Sequence, residues 1–398
     1  MLFMKRLICV FALLALLLPV CVSADEEAEI YPVTYAFEEY WYTDAAAFGD
    51  TLPVRSALLM EASTGRILYA QSENEHFPIA SVTKIMSTLL VMEAIDGGKL
   101  TLDETVTVGS DAANMGGSQV YLEVGEKMTV NDLLKAMIVV SANDATVAFA
   151  EHLAGSEASF VEMMNERASR LGMKNTHFAN CHGLNEDGHY SSALDVALMT
   201  QELLKHERIF DYTTIWMDTI RGGSFGLANT NKLIRFYDGA NGMKTGFTDK
   251  AKYCLSGTAK RDGMQLIAVI IGAETSDVRF ASAKKLLDYG FANYCVHTPE
   301  KAELGKLAVK NGKTGFVTID YETPTIMLEK GKKGSLTSAV TLEELTAPVH
   351  EGDTVGLVTY YIDGECAATA NVYASSGDEK IRYATILGRI LKAIISFI

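Results

Sequence analysis

Three short clusters in this sequence carry residue types that could do chemistry together. The first is Ser81-Val82-Thr83-Lys84. A helix begins after Ala80 and runs apolar through Leu89, Leu90, Val91, Met92 and Ala94, so Lys84 lies one turn from Ser81 on the same face. A serine hydroxyl is a weak nucleophile until a neighbouring base takes its proton, and a helix start offers free N–H groups where an oxyanion can form. The same pair could equally be a helix cap and a surface charge. The second cluster, Ser141-Ala142-Asn143-Asp144, ends the apolar helical stretch Leu133 to Val140. The third, Lys244-Thr245-Gly246-Phe247, opens a β run, and its glycine removes a side chain where a substrate backbone could lie. Together they would supply a nucleophile with its base, a proton-relaying hydroxyl with an amide, and a carboxylate-binding cation with a hydroxyl. Each has a decoy: Ser282 to Lys285, Ser72-Glu73-Asn74 and Lys313-Thr314-Gly315. Only one set runs in the order helix start, helix end, strand, with separations of 60 and 103 residues.

The elements that must position these clusters are readable from periodicity. Arg55 to Met60 and Arg66 to Ala70 flank Ala62-Ser63-Thr64-Gly65, a hairpin signal. From Thr101 to Lys205 the spacing is helical. Tyr253 to Ala259 and Gln265 to Ile271 flank Arg261-Asp262-Gly263, a second hairpin, and Asp277 to Phe291 returns to helical spacing. Strands from both ends around a helical middle predict one α+β unit over residues 51–296. Short β runs at Gly315 to Tyr321, Pro324 to Leu328, Thr337 to Thr341 and Thr354 to Tyr361 predict a small β-rich domain over 297–375.

The chain is 398 residues long and 48% hydrophobic, enough for several cores. Its first 24 residues read as a secretory signal. Lys5 and Arg6 precede the apolar run Leu7 to Val20, and Val22-Ser23-Ala24 is a small-residue cleavage site. Residues 25–50 form an acidic, aromatic segment suited to a tether or an edge element. The net charge is −15, and loss of Lys5 and Arg6 leaves 33 basic against 50 acidic residues, or −17. That balance excludes nucleic acid as a partner. Cys181, Cys254, Cys295 and Cys366 remain in the exported chain, with no C-x-x-C pair and hence no zinc-finger or disulfide-framework pattern.

The end of the chain, residues 376–398, changes texture again. Tyr383, Ile386, Leu387, Ile390, Leu391, Ile394, Ile395 and Ile398 share one helical face, with Arg382, Thr385, Arg389, Lys392 and Ser396 opposite. A basic amphipathic helix of this length is too short to span a bilayer but can lie in its surface.

With these motifs assembled, the chain resembles the low-molecular-weight penicillin-binding proteins, serine-type D-alanyl-D-alanine carboxypeptidases. Asn180-x-x-Gly183-Leu184, His189-Tyr190-Ser191-Ser192-Ala193-x-Asp195 and Thr248 after Phe247 look like that family's accessory signatures. The resemblance implies a penicillin-recognising serine transferase (β-lactamase-like) fold, α+β, with a five-stranded antiparallel sheet and a helical lobe. The small all-β domain and the terminal amphipathic helix are similar to those of membrane-tethered members. It further implies an exported enzyme at the outer face of the cytoplasmic membrane, acting on the peptidoglycan stem peptide, acylated by β-lactam antibiotics, and needing no cofactor or metal. Carried over by position, Ser81 is the nucleophile. Lys84, kept at least partly neutral by burial and neighbouring cations, is the base. Ser141 and Asn143 relay a proton and hold the substrate amide. Lys244 and Thr245 face the terminal carboxylate with Arg279 near it, and Gly246 leaves room for the substrate backbone. The N–H groups of Ser81 and Phe247 form the oxyanion hole. Cys181 departs from the pattern, standing where a small residue or proline is more usual, and bears on the rigidity of its loop.

Three other classes are weighed against this one. A class A β-lactamase needs a deacylating glutamate in E-x-x-x-N between Ser141 and Lys244, and the string is absent. A metal hydrolase could draw on His182, His189 and Asp195, but no close-spaced ligand motif supports it, and His189 reads as a helix brace. A non-catalytic wall-binding module is expected to have lost Ser81 or Lys84.

Overall fold

The computed structural model describes residues 32–35, 48–49, 51–331 and 334–395. The expected leader over 1–24 and most of the 25–50 segment lie outside the described residues. The chain divides into two compact units, one comprising 38–299 with 325–333, the other 1–37, 300–324 and 334–398.

The first unit is built on a five-stranded antiparallel sheet. Its strands are β1 (Ser56–Glu61), β2 (Ile67–Gln71), β3 (Ala240–Thr248), β4 (Lys252–Arg261) and β5 (Met264–Ala273), in the spatial order β2-β1-β5-β4-β3. Both expected hairpins form, β1 with β2 and β4 with β5. The central pair β1 and β5 joins residues some two hundred apart, Leu59 opposite Ala268. Because side chains alternate across a strand, β1 sends Leu58 and Met60 to one core and Ala57 and Leu59 to the other. Helices therefore cover both faces, which is why β1 is buried at every position.

On one face lie α1 (Lys84–Asp96), α2 (Val130–Val139), α3 (Asn143–Ala154), α4 (Glu157–Arg170) and α5 (Ala193–Leu203). Helix α1 is buried continuously from Lys84 to Met92, so its sequence is apolar nearly all round rather than on one stripe. Truncating a residue such as the fully buried Leu89 to Ala would cost about 2–5 kcal/mol. Thr129 caps α2 through its hydroxyl, and Ser192 caps α5. The opposite face is covered by α6 (Ser276–Asn293), capped by Thr275.

The second unit is a seven-stranded sheet. In spatial order its strands are Pro32–Tyr35, Leu336–Leu342, Thr354–Ile362, Glu365–Ala374, Phe316–Tyr321, Lys306–Lys310 and Leu345–Thr346. Along Phe316–Tyr321 buried Val317, Ile319 and Tyr321 alternate with more exposed residues, the period-2 pattern of a half-buried strand. Pro32–Tyr35 supplies an edge, one of the two roles open to the 25–50 segment. One run moves. Ile326–Glu329, expected in the β-rich part, pairs with Tyr294–His297 and groups with the first unit. A pairing partner outside the local sequence decided its place. Tyr383–Ile395 forms a helix, α7, that leaves Tyr383, Leu387, Leu391 and Ile395 exposed along one side. Among the described residues no helix is long and apolar enough to cross a membrane.

Candidate active site

The three clusters meet where α1, the α2–α3 junction and the edge strand β3 come together. Ser81 lies in a short 3-10 turn, Ala80–Thr83, that leads directly into α1. Ala80 takes a left-handed φ of +48°, and its carbonyl is so close to Gly183 that any Cβ there would overlap it. Gly183, itself at φ +89°, is thus required by close approach as well as by backbone conformation. His189 braces the same turn, its Nε2 2.8 Å from Thr83 Oγ1.

Lys84 is wholly buried, with Nζ 3.1 Å from Ser81 Oγ, 2.6 Å from Asn143 Oδ1 and 2.7 Å from the His182 carbonyl oxygen. A neutral amine in this position can donate to the two carbonyl oxygens and keep its lone pair for the Ser81 hydroxyl proton. Burial lowers its pKa to about 7, while Cys181 and Asp144 pull it back up. Desolvation, rather than neighbouring cations, is therefore what lowers this amine's pKa.

Ser141 stands between α2 and α3 at φ +65°. Its buried Oγ makes no hydrogen bond within the described chain, so it is open to a bound group. Asn143, at the start of α3, receives Lys84 on Oδ1 and donates from Nδ2 to the Gly116 carbonyl at 2.7 Å. The amide expected to hold substrate is thus committed first to holding Lys84, with one N–H left over.

Strand β3 is a sheet edge, and it carries Lys244, Thr245 and Gly246 into the site. A Cβ on Gly246 would stand 2.7 Å from the Ile79 carbonyl oxygen and 3.0 Å from the Ser81 nitrogen, so only glycine lets the strand lie against the turn that carries Ser81. Thr245 is buried, its Oγ1 2.6 Å from Thr230 Oγ1. Lys244 is also buried, with Nζ donating to the Thr245 carbonyl at 3.0 Å. Burial, then the charges of Lys84 and Arg279, hold it well below the usual lysine range. Arg279 reaches in from α6, donating to the carbonyls of Gly246 and Cys254 at 3.4 and 3.3 Å. Burial lowers it to about 10, and its Nε makes no hydrogen bond among the described residues. Lys244 is within electrostatic reach of both Lys84 and Arg279, so an incoming carboxylate would balance the positive charge gathered here. Phe247 follows on the strand, half exposed, its ring 4.4 Å from that of Tyr253.

The decoys stay apart from this constellation. Ser282 is buried within α6, Ser72-Glu73-Asn74 follows β2, and Lys313-Thr314-Gly315 belongs to the second unit. His182, His189 and Asp195 do not converge either. His182 faces Glu157 at 3.4 Å, Asp195 accepts from Asn175 and Thr176 at 2.7 Å each, and burial lowers His182 to about 3 and His189 to about 4. Cys181 does not loosen its loop: its N–H donates to Glu157 at 3.0 Å and its carbonyl accepts from Ser87 at 2.6 Å. Sequence reasoning missed Thr230, Gly116 and Ser118. The first is a single hydroxyl and the other two act through backbone carbonyls, so no residue-type spacing marks them.

The chain as a whole is similar to known proteins. The family model for D-alanyl-D-alanine carboxypeptidase matches residues 43–275, and that for the C-terminal domain of penicillin-binding protein 5 matches 298–380. The chain is 43% identical over 345 residues to D-alanyl-D-alanine carboxypeptidase DacF of Bacillus subtilis, covering 85% of this chain and 89% of the relative. Penicillin-binding protein 5 from Haemophilus influenzae has a similar structure, at a TM-score of 0.74 and 31% identity, over 84% of this chain and all of that one. Penicillin-binding protein D2 from Listeria monocytogenes, in its ampicillin-bound form, matches 60% of this chain and 98% of its own at a TM-score of 0.56 and 34% identity.

Proposed function

The chain belongs to the D-alanyl-D-alanine carboxypeptidase family and is a serine-type enzyme of that activity; we propose that Ser81 is its nucleophile, Lys84 its base and Ser141 its proton relay. The observation that carries this assignment is the geometry at Lys84. One buried amine, poised at about 7, touches Ser81 Oγ at 3.1 Å while two carbonyl oxygens fix its direction.

Ser81 Oγ attacks the carbonyl carbon between the two terminal D-alanines as Lys84 takes its proton. The oxyanion rests on the N–H groups of Ser81 and Phe247. Ser141, between Lys84 and the leaving nitrogen, passes the proton on, and D-alanine departs. Lys244, Thr245 and Arg279 hold the terminal carboxylate through the reaction, and Gly246 lets the peptide lie beside β3. Water then hydrolyses the ester on Ser81. A β-lactam acylates the same oxygen and stalls at hydrolysis.

Intact mass after incubation with benzylpenicillin, followed by peptide mapping, tests the assignment. One adduct on Ser81 is expected, and Ser81→Ala should abolish it while remaining folded, since loss of a small polar side chain at a helix start costs at most about 1–2 kcal/mol. An adduct on Ser282, or none, would sink the assignment.

The enzyme's place in the cell is part of the same reading: residues 1–24 export it, 51–296 carry catalysis, 297–375 form the β-rich domain, and 376–398 hold it at the outer face of the cytoplasmic membrane. The apolar side of α7 supports this, with Tyr383 92% and Leu387 62% exposed. Lipid would recover roughly 25 cal/mol per Å² of apolar area. Deleting residues 382–398 should release the protein from anionic vesicles while cleavage of a small soluble D-Ala-D-Ala peptide survives. Full-length protein left in the supernatant would remove the anchor from the reading.

A further inference from the structure

Tyr121 lies three residues beyond Ser118, whose carbonyl accepts the Asn143 backbone N–H at 2.7 Å. Its Cα is therefore within roughly 11 Å of chain from the helical wall of the catalytic cleft. Its φ is +57°, a left-handed value that a bulky aromatic residue adopts only when its surroundings impose it. Two charged residues impose it. Asp144, next in sequence to Asn143, accepts the N–H groups of Val120 and Leu122 at 3.0 and 3.1 Å. Arg221 donates to the carbonyls of Val120 and Tyr121 at 2.8 and 3.2 Å, and Glu126 holds its guanidinium in a fork at 2.7 and 3.0 Å. The backbone on both sides of Tyr121 is thus pinned, yet the residue is 68% exposed, and among the described residues its ring neighbour is Phe225, centroids 6.4 Å apart. Arg221 also lies over Phe225, 5.6 Å from its centroid. Val120 and Leu122 on either side are buried, so the loop's own packing is done without Tyr121.

We propose that Tyr121, backed by Phe225, is an accessory subsite that stacks against the C–H-rich face of the acyl donor upstream of its two terminal residues. It rests on the peptidase reading above. Lys244, Thr245 and Arg279 take the charged end of the substrate on the strand side of the cleft, and Tyr121 is tied to Asn143 on the helical side. The ring accordingly serves the uncharged part of the donor, which offers two such faces: the aliphatic side chain of the stem peptide, or the sugar that carries the stem. Asp144 and Arg221 are positioning residues for this contact.

The test compares full-length protein with Tyr121→Ala on three substrates. They are a blocked D-Ala-D-Ala dipeptide, a pentapeptide with a long aliphatic third side chain, and the same pentapeptide linked to an N-acetylated amino sugar. The preference in kcat/KM for the longer substrates over the dipeptide should fall about threefold to tenfold, the worth of one aromatic contact, and mainly through KM. Tyr121→Phe should keep the preference, and thermal melting checks that both variants fold. A fall already present with the free pentapeptide assigns the contact to the side chain; one confined to the sugar-linked substrate assigns it to the sugar. Equal loss on all three substrates, or an unchanged preference, overturns the subsite. Wild-type protein that cleaves none of the three refutes the peptidase reading instead.

Discussion

Lys244-Thr245-Gly246 and Lys313-Thr314-Gly315 are the same tripeptide in two environments. The first lies inside an antiparallel edge strand, paired with Ser256, Leu255 and Cys254, with its lysine and threonine buried. The second is a turn in the other unit. The Asp378 carboxylate accepts the N–H groups of Thr314 and Gly315, each at 2.9 Å, and the Lys313 side chain is 57% exposed, 3.9 Å from Glu379. In one copy the backbone pairs with a strand and the lysine and threonine side chains are buried. In the other the backbone satisfies a carboxylate and the side chains face solvent. The chemistry of the motif is a property of its address.

The sharpest way to break this comparison is at the glycines. Gly246→Ala would place a methyl 2.7 Å from the Ile79 carbonyl oxygen and push β3 away from Ser81. A displacement of about 1 Å should cost about 100-fold in kcat/KM. Gly315→Ala meets open space but sits at φ +86°, so it should cost about 1 kcal/mol of stability in the β-rich unit and leave activity alone. Steady-state kinetics and thermal melting of both variants decide the point; a reversed pattern would mean the wrong tripeptide has been assigned.

The lysines come next. Lys244→Ala removes a charge-assisted partner of the substrate carboxylate, and acylation by peptide and penicillin should slow by roughly 10- to 100-fold. Lys313→Ala should stay within about twofold of wild type. Equal losses from the two would erase the distinction.

A pH profile gives the smallest effect. Lys84 works as a base only when deprotonated, so kcat/KM for acylation should rise with pH through a midpoint near 7. Burial sets that value, so the midpoint should hold within about half a unit in both Lys244→Ala and Lys313→Ala. A midpoint that climbs in Lys244→Ala alone would show that repulsion between the ammoniums, rather than desolvation, depresses Lys84.

The elements of this protein and the order of its motifs were legible in the sequence because they rest on local rules. Apolar spacing marked α2 and α6, Asp262-Gly263 marked the β4–β5 hairpin, and the helix start at Ser81 placed Lys84 one turn away. What the tertiary structure alone decided rests on contacts between distant residues. It laid β3 against the turn at Ser81, an approach that the order of the motifs suggested but that no local rule could supply. It moved Ile326–Glu329 to a partner strand at Tyr294–His297. It also brought Gly116, Ser118 and Thr230 to the site through carbonyls and a hydroxyl that no spacing rule distinguishes. The state of Lys84 belongs to the same class. A lysine's proton affinity follows from how completely other segments exclude water from it, and that is settled only once helix, loop and strand have closed around it.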